Sequence, residues 1–521
     1  MNQDRATASV LPLALLCAVG GAAGGLALPP HDLWPLALVC LGPLLWAARL
    51  LSWWKAALCG LAWGVAQAAV VFAWLPGVIA AHGGLSWPLT WAMATLGYVY
   101  QGLFTAAFAV ALRLPRRWPA LTLAAAPLAW VAMEQARALV GLRLPWLPLG
   151  QALAAEPFLL QSAELWGVMG LSTLAAGVNA LFWAALWPRR VFFSRFICLT
   201  LAAMCLIAPW LWGQERRAVI HGMAAAAPKL AVCAVQGDFD LAQLRDKSAA
   251  RAVVARLEQL TRAAVDQRPQ RPLLVAWPET AAPYYLFQTV SGGLAVRYLA
   301  MELKTYLALG ARGAVETDQG LKPTNRLWLL NPDGAAVAHY DKTKLAPYGE
   351  FAPPGWPRQW LPPLAGGQDL WPGQSIAPLD LGPAKIGALI CFESAFAGLA
   401  RRQTMAGADL LLNVANEAWF DDQAAPRQAV EQLRLRAVEN RRACLRAANR
   451  GPSGLIGPDG AARLTDGPSL YAVAPLMNTR TLYDRHWPWP TIGLSLALAA
   501  LTFLAARAGA KPPAPARRLR Q

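Results

Sequence analysis

The chain has 521 residues, more than one ordinary domain holds, and is 56% hydrophobic with only 15% charged residues. That balance excludes a purely water-soluble protein. The formal charge of +17 suits anionic lipid headgroups, but the basic residues are dispersed and match no nucleic-acid module, so nucleic acid is excluded as a partner.

From the N-terminus, seven segments are long and apolar enough to cross a bilayer, at roughly 9–28, 33–50, 55–75, 88–112, 118–136, 165–187 and 194–213, and an eighth follows at roughly 489–508. The second is short and flanked by proline. Arginine and lysine gather in alternate loops: Arg49 and Lys55; Arg113, Arg116 and Arg117; Arg189, Arg190 and Arg195; and the tail from Lys511 to Arg520. "GVIAAHGGLSW", on the opposite side, has neither residue. The bias predicts cytoplasmic termini and places the segment between spans seven and eight on the outer face. The chain therefore divides into a membrane region over 1–220, a globular domain over 226–480, and a last span with a basic tail over 487–521.

The globular part alternates strands and helices. "KLAVCAVQ", "PLLVAWPE" and "TYLALGARG" read as strands, with helices over about 240–266 and 293–304 between them. "NRLWLLNPDGAAVAHYDKTK" reads as a hairpin turning at Asn331-Pro332-Asp333-Gly334. Then come "KIGALICFE", a helix, "ADLLLNVAN", a long helix over about 425–443, "CLRAAN" and "LYAVAPL". Near-continuous apolar strands separated by helices imply an α/β fold whose sheets are covered by helices. Glu279 and Cys391 both fall at C-terminal strand ends, where open α/β sheets bind ligands.

The eight cysteines form no pair with metal-ligand spacing, and five lie in spans, so neither a zinc site nor a disulfide framework is expected. No metal and no cofactor are expected. A nucleophilic Cys391 needs a base or a positive neighbour. No histidine stands at a strand end in this domain, which leaves Glu279, Lys342 or Lys344, and Glu350 as partners.

"WPET", "YDKTKLAPYGEF" and "CFES", in that order, resemble the Glu-Lys-Cys motifs of the nitrilase (carbon–nitrogen hydrolase) superfamily. With seven spans before that domain and one after, the chain resembles the apolipoprotein N-acyltransferase family, also through "LPWLPLGQ" and "VQGDF". The resemblance implies a nitrilase-like αββα sandwich on a membrane base of eight transmembrane helices. It implies Glu279 as general base, Cys391 as nucleophile and Lys342 as the cation on the tetrahedral oxyanion, with Glu350, Phe392 and Glu393 in support. Lys342 rather than Lys344 follows Tyr-Asp and stands eight positions before Glu350, as the family's lysine does.

The implied partners are a phospholipid acyl donor, a diacylglyceryl-modified apolipoprotein acceptor and the membrane itself, the enzyme being a monomer. The implied location is the bacterial inner membrane, with the catalytic domain on the periplasmic face. Trp419, Arg143 and Trp356 are expected to touch substrate, Trp356 within a Pro/Trp-rich lid over 351–373. Glu134, Arg137, Arg143 and Glu164 either line a headgroup cavity or anchor helices at the interface. Departures from the family pattern are Phe392 where many members have tyrosine, "NEAWF" for Asn-Asp-Ala-Trp-Phe, "ANRG" for a Thr-Asn-Asn-Gly type of sequence, and Arg245 where an aromatic is common. Two other readings use the same residues: a membrane-tethered amidase with water as acceptor, and a non-enzymatic membrane scaffold.

Overall fold

The computed structural model describes residues 10–114, 119–146, 148–187, 192–246, 248–266, 271–282, 293–352 and 369–487, with three isolated positions beyond. The N-terminal region is helical: α1 (Val10–Leu26), α2 (Gly42–Leu50), α3 (Trp53–Val71), α4 (Leu75–Gly83), α5 (Trp87–Ala111), α6 (Pro119–Leu139), α7 (Pro157–Leu160), α8 (Ala163–Ala185) and α9 (Phe192–Ala226). Their inner faces pack into one apolar cluster that includes Leu44, Trp63, Phe108, Trp130 and Leu171. Their outer faces stay apolar in the open, with Phe192, Phe193, Ile207 and Leu211 exposed on α9. Apolar inside and outside alike is what a helix bordered by lipid requires.

Four helices, α3, α5, α8 and α9, are long and apolar enough to cross a membrane, and α1 and residues 34–50 are shorter apolar segments. The count of eight is thus met only in part among the described residues. The second expected span is broken: a 3-10 turn over Trp34–Leu38 precedes α2, which begins afresh at Gly42-Pro43. Proline lacks the N–H that would continue a helix, and Asn179 instead accepts from the Leu41 N–H at 2.9 Å. The fifth is α6, with Pro127 inside it and Glu134 and Arg137 buried on it. The expected loop after the third span contains α4, opened by Pro76 in its first turn. The eighth span lies outside the described residues apart from isolated positions.

The globular part has twelve strands among the described residues: β1 (Lys229–Val235), β2 (Leu274–Ala276), β3 (Tyr306–Thr317), β4 (Gly320–Leu330), β5 (Ala336–Asp341), β6 (Leu379–Asp380), β7 (Lys385–Ile390), β8 (Leu410–Asn416), β9 (Ala443–Asn449), β10 (Ser453–Ile456), β11 (Ala462–Thr465) and β12 (Ser469–Pro475). Its helices are α10 (Leu241–Arg245), α11 (Ala250–Asp266), α12 (Leu294–Leu303), α13 (Ala397–Met405), α14 (Ala424–Asn440) and α15 (Leu482–His486). The helix expected over 240–266 is therefore two. Asp240 caps the first by accepting from the Gln243 N–H, and Asp246 ends it in extended geometry.

Two six-stranded sheets run β12-β1-β2-β3-β4-β5 and β11-β10-β9-β8-β7-β6. The central strands of each, β1-β2-β3 and β7-β8-β9, are parallel, and antiparallel strands flank them. Alternate residues decide the faces. Val232, Ala234, Ala276, Ile386, Ala388, Leu412, Val414 and Leu445 meet between the sheets. Cys233, Val275 and Leu307 face α11 and α12, whereas Leu389, Leu411 and Cys444 face α13 and α14. The result is an αββα sandwich, with both sets of parallel strands ending near the same edge.

Candidate active site

Glu279 follows β2 by three residues and is 6% exposed. It lies close over the sheet because position 310 on β3 is glycine: a Cβ there would stand 2.7 Å from the Glu279 Cα. Its Oε1 accepts from Asn325 Nδ2 at 2.7 Å and from Lys342 Nζ at 3.3 Å, and its Oε2 accepts from the Asn416 N–H at 2.9 Å. Lys342, the first residue after β5, is 2% exposed. Its ammonium also donates to Glu350 Oε1 at 2.9 Å. Asn325 Nδ2 completes the set by donating to Glu350 Oε1 at 2.8 Å, while Glu350 Oε2 accepts from the Ala346 N–H at 2.7 Å.

Cys391 is the first residue beyond β7 and has φ +53°, a left-handed conformation that costs a non-glycine residue about 1–2 kcal/mol. Regular alternation would put it on the helix-covered face with Leu389. Instead it packs against the apolar layer between the sheets. Burial pushes the thiol up; Glu279 adds to this, Lys342 opposes it, and Glu350 and Glu417 add again. The resting group is therefore the thiol. Burial alone would discharge Lys342, but Glu279, then Glu350 and the Cys391 sulfur, hold it well above the ordinary lysine value. The charges that act on Cys391 thus bring together the three expected catalytic residues and Glu350. A neutral nucleophile beside a carboxylate acceptor and a fixed ammonium can attack an acyl carbonyl only if the carboxylate takes its proton.

Glu393, wholly buried, ties the two halves of the site. Its Oε2 accepts from the Ile390 N–H at 2.8 Å; its Oε1 accepts from the Thr343 N–H at 2.8 Å, the Lys344 N–H at 2.9 Å and the Tyr340 hydroxyl at 3.0 Å. Burial raises its pKa against the pull of those donors and of Lys342. Lys344 is thereby separated from Lys342: its ammonium lies 5.7 Å from the Phe396 ring, outside the carboxylate set.

Phe392 stacks on Trp146 at 6.2 Å and 22° and meets Phe396 edge-on at 5.0 Å. Trp146, at the end of α6's following loop, and Trp74 both donate to Gln428 Oε1, at 3.1 and 3.2 Å. An aromatic wall therefore leads from the cysteine turn to the helical region. Trp419 is held between His82, at 5.0 Å between ring centres, and the Arg245 guanidinium, at 5.1 Å from its ring. Arg245, at a position where the family commonly has an aromatic, thus places a cation on the Trp419 ring. Arg143 is exposed, with φ +52°, and its charge acts on Lys344. Trp356 and most of the expected lid lie outside the described residues.

Glu164 is buried between two arginines. It pairs with Arg216 at 2.7 Å and with the fully buried Arg441 at 2.6 Å, which joins α8, α9 and α14. Glu134 accepts from Trp130 Nε1 at 2.8 Å and from the Leu149 N–H at 2.7 Å, so it anchors the turn after Trp146. Sequence reasoning missed Asn325, Tyr340 and Trp146. Trp146 had a signal in "LPWLPLGQ" and Tyr340 in "YDKTKLAPYGEF"; Asn325 is a single polar position in a strand.

Among the described residues no group of His, Cys, Asp and Glu is arranged to hold a metal ion.

Residues 20–181 match the model of the apolipoprotein N-acyltransferase N-terminal domain, and residues 231–466 match that of carbon-nitrogen hydrolase. The apolipoprotein N-acyltransferase of Geobacter metallireducens is 32% identical over 94% of this chain and 95% of its own length. That of Azotobacter vinelandii is 31% identical over 96% and 97% respectively. Among solved structures, Saccharomyces cerevisiae Nit3, of the nitrilase superfamily, aligns at 18% identity and a TM-score of 0.38, over 50% of this chain and 94% of its own.

Proposed function

Because the chain belongs to the apolipoprotein N-acyltransferase family, we propose that it moves a fatty acyl chain from a phospholipid to the N-terminal amine of a diacylglyceryl-cysteine, through a thioester on Cys391. The chain is an N-acyltransferase of a bacterial membrane. The observation that carries the mechanism is that Lys342 donates to both Glu279 and Glu350 within electrostatic reach of Cys391.

In the first half-reaction Cys391 Sγ attacks the donor ester while Glu279 takes the thiol proton. The oxyanion forms against Lys342 and the N–H after Cys391. Collapse breaks the C–O bond, and Glu279 returns the proton to the departing lysophospholipid. In the second, Glu279 takes a proton from the incoming amine, nitrogen replaces sulfur on the carbonyl, and the thiol is regenerated beside the new amide. Glu350 holds Lys342 and, with Asn325, fixes Glu279. Trp419 and Arg143 are placed in this reading at the substrate's headgroups, and Phe392 with Trp146 along its chains.

The domain division follows the same reading: a membrane region over 1–220, a catalytic domain over 226–480 and a last span with its tail over 487–521. α1, the broken 34–50 segment and α6 join the four long helices in the bilayer, the eighth crossing being 489–508. The catalytic domain then faces the periplasm from the inner membrane, with cytoplasmic termini. Hydrolysis of an amide with water as acceptor is the weaker reading, since it gives the matched N-terminal region no task.

The test is Cys391→Ala in purified enzyme with phospholipid and a diacylglyceryl peptide. Intact-mass measurement should find an acyl adduct on the native chain and none on the variant, with transfer lost. Transfer retained by the variant overturns the mechanism.

A further inference from the structure

We infer that Asn413, Arg446 and Glu417 form a buried relay that holds Cys391 in its left-handed turn and so aims the sulfur between the sheets. Leu389, Asn413 and Arg446 stand in one row across β7, β8 and β9, as their parallel register shows. Asn413 Nδ2 donates to the carbonyls of Leu389 at 3.1 Å and Cys391 at 3.2 Å, which lie on either side of the point where the chain leaves the strand. Asn413 Oδ1 accepts from Arg446 Nη1, and Arg446 Nη2 donates to Glu417 Oε1. Arg446 Nε donates to the Pro452 carbonyl at 3.0 Å.

Asn413 and Arg446 are fully buried and Glu417 is 3% exposed. A guanidinium in that setting must be neutralised or it will move, and Glu417 is the carboxylate paired with it at this place. Glu417 has little room to respond, since a Cβ at Gly451 would stand 1.8 Å from its Oε2. Its own N–H donates to the Asn449 carbonyl at 2.8 Å, so the backbone is pinned as well. Displacing any member loosens the amide on the Cys391 carbonyl, and a left-handed cysteine that is no longer held returns toward the extended conformation. The sulfur then swings toward the helix-covered face, away from Glu279 and Lys342. These three are positioning residues: they touch no substrate. The inference rests on the acyl-transfer reading only for the reaction the turn serves.

The test uses the full-length enzyme in phospholipid micelles, with Glu417→Gln, Glu417→Asp and Asn413→Asp. Asn413→Asp keeps an acceptor for Arg446 and removes the donor to the Leu389 and Cys391 carbonyls. Glu417→Gln and Asn413→Asp should slow single-turnover acylation of Cys391 by about ten- to a hundredfold, the scale of a reacting atom displaced by about an ångström. The burst should stay near one acyl group per chain and KM should hold. Glu417→Asp should recover most of the rate. An unchanged rate per acylated site, or a burst that shrinks in step with the melting temperature, overturns the relay in favour of plain stabilisation. Should Glu417→Gln fail to fold, Asn413→Asp decides alone by the same readings. Alkylation of Cys391 by iodoacetamide, followed by mass, is independent of lipid chemistry: slowed alkylation in the variants supports the relay, and unchanged alkylation overturns it. A native chain that alkylates yet never acylates sinks the acyl-transfer reading instead.

Discussion

One amide, Asn325 Nδ2, serves two carboxylates, at 2.7 Å to Glu279 and 2.8 Å to Glu350. Two buried anions so close repel unless donors separate them. Asn325→Ala should therefore lower the acylation rate by about a hundredfold, measured by single-turnover thioester formation, with Lys342 left as the only shared donor. Gly310→Ala should act on the same group by another route, since the new methyl meets backbone at Glu279 and Thr280, each at 2.7 Å, and backbone cannot swing aside. Its melting temperature and rate should both fall, by overpacking of about 1–3 kcal/mol. The residues proposed as reactive were legible as candidates because each follows a strand inside a short motif. Asn325 was not, because one polar residue in "TNRLW" reads as ordinary alternation, and only the pairing of β4 with β3 and β5 brings it under two carboxylates.

Helix α14 shows how one element carries two environments. Gln428 near its start donates to the carbonyls of Val71 at 2.8 Å and Pro29 at 3.1 Å, so the catalytic domain grips the ends of helices in the membrane region. Near its end Glu439 accepts from the Val168 N–H at 2.8 Å, where α8 is kinked at Gly167 with φ +65°. Burial, opposed by Arg436, raises the Glu439 carboxyl from 4.5 to about 7. The folded chain thus keeps a proton that the unfolded chain gives up. The stability from that proton is complete below about pH 4.5 and is lost as pH climbs through about 7. Thermal melts of Glu439→Gln, which cannot ionise, should fall less between pH 5 and 8 than those of the native chain. α14 was readable as a long helix, and the expected limits differ from the observed ones by a few residues. Its docking role was not, because the partners lie several hundred positions away. The broken second span was half legible: its prolines and its shortness were visible, the capping by Asn179 was not.

Across the whole molecule, the globular and helical parts are joined by buried charge. Arg441 at the end of α14 donates to Glu164 Oε2 at 2.6 Å and to Gln161 Oε1 at 2.8 Å. Removing one partner of such a pair leaves a charge without water or counter-ion, at about 3–5 kcal/mol. Glu164→Ala should lower the unfolding midpoint sharply. Glu164→Ala with Arg441→Met should recover part of the loss, which a double-mutant cycle on the purified enzyme would quantify. Composition made the two-part layout legible, and the carboxylate of Glu164 was visible as an anomaly, but whether it met lipid or arginine depended on which helix end faced the globular domain.

Helix α9 runs unbroken over 35 residues from Phe192 to Ala226, about 50 Å at 1.5 Å per residue, and only two residues separate it from β1. Such a rod sets the azimuth of the catalytic domain like a spoke, because each added residue turns everything beyond it by about 100°. One alanine inserted after Gly222 should turn the catalytic domain against the contacts that Gln428 and Glu439 make with the helical region and silence the enzyme. Seven inserted residues restore the compass bearing to within about 20° while lifting the domain by about 10 Å, so any activity they return would separate the bearing of the domain from its altitude.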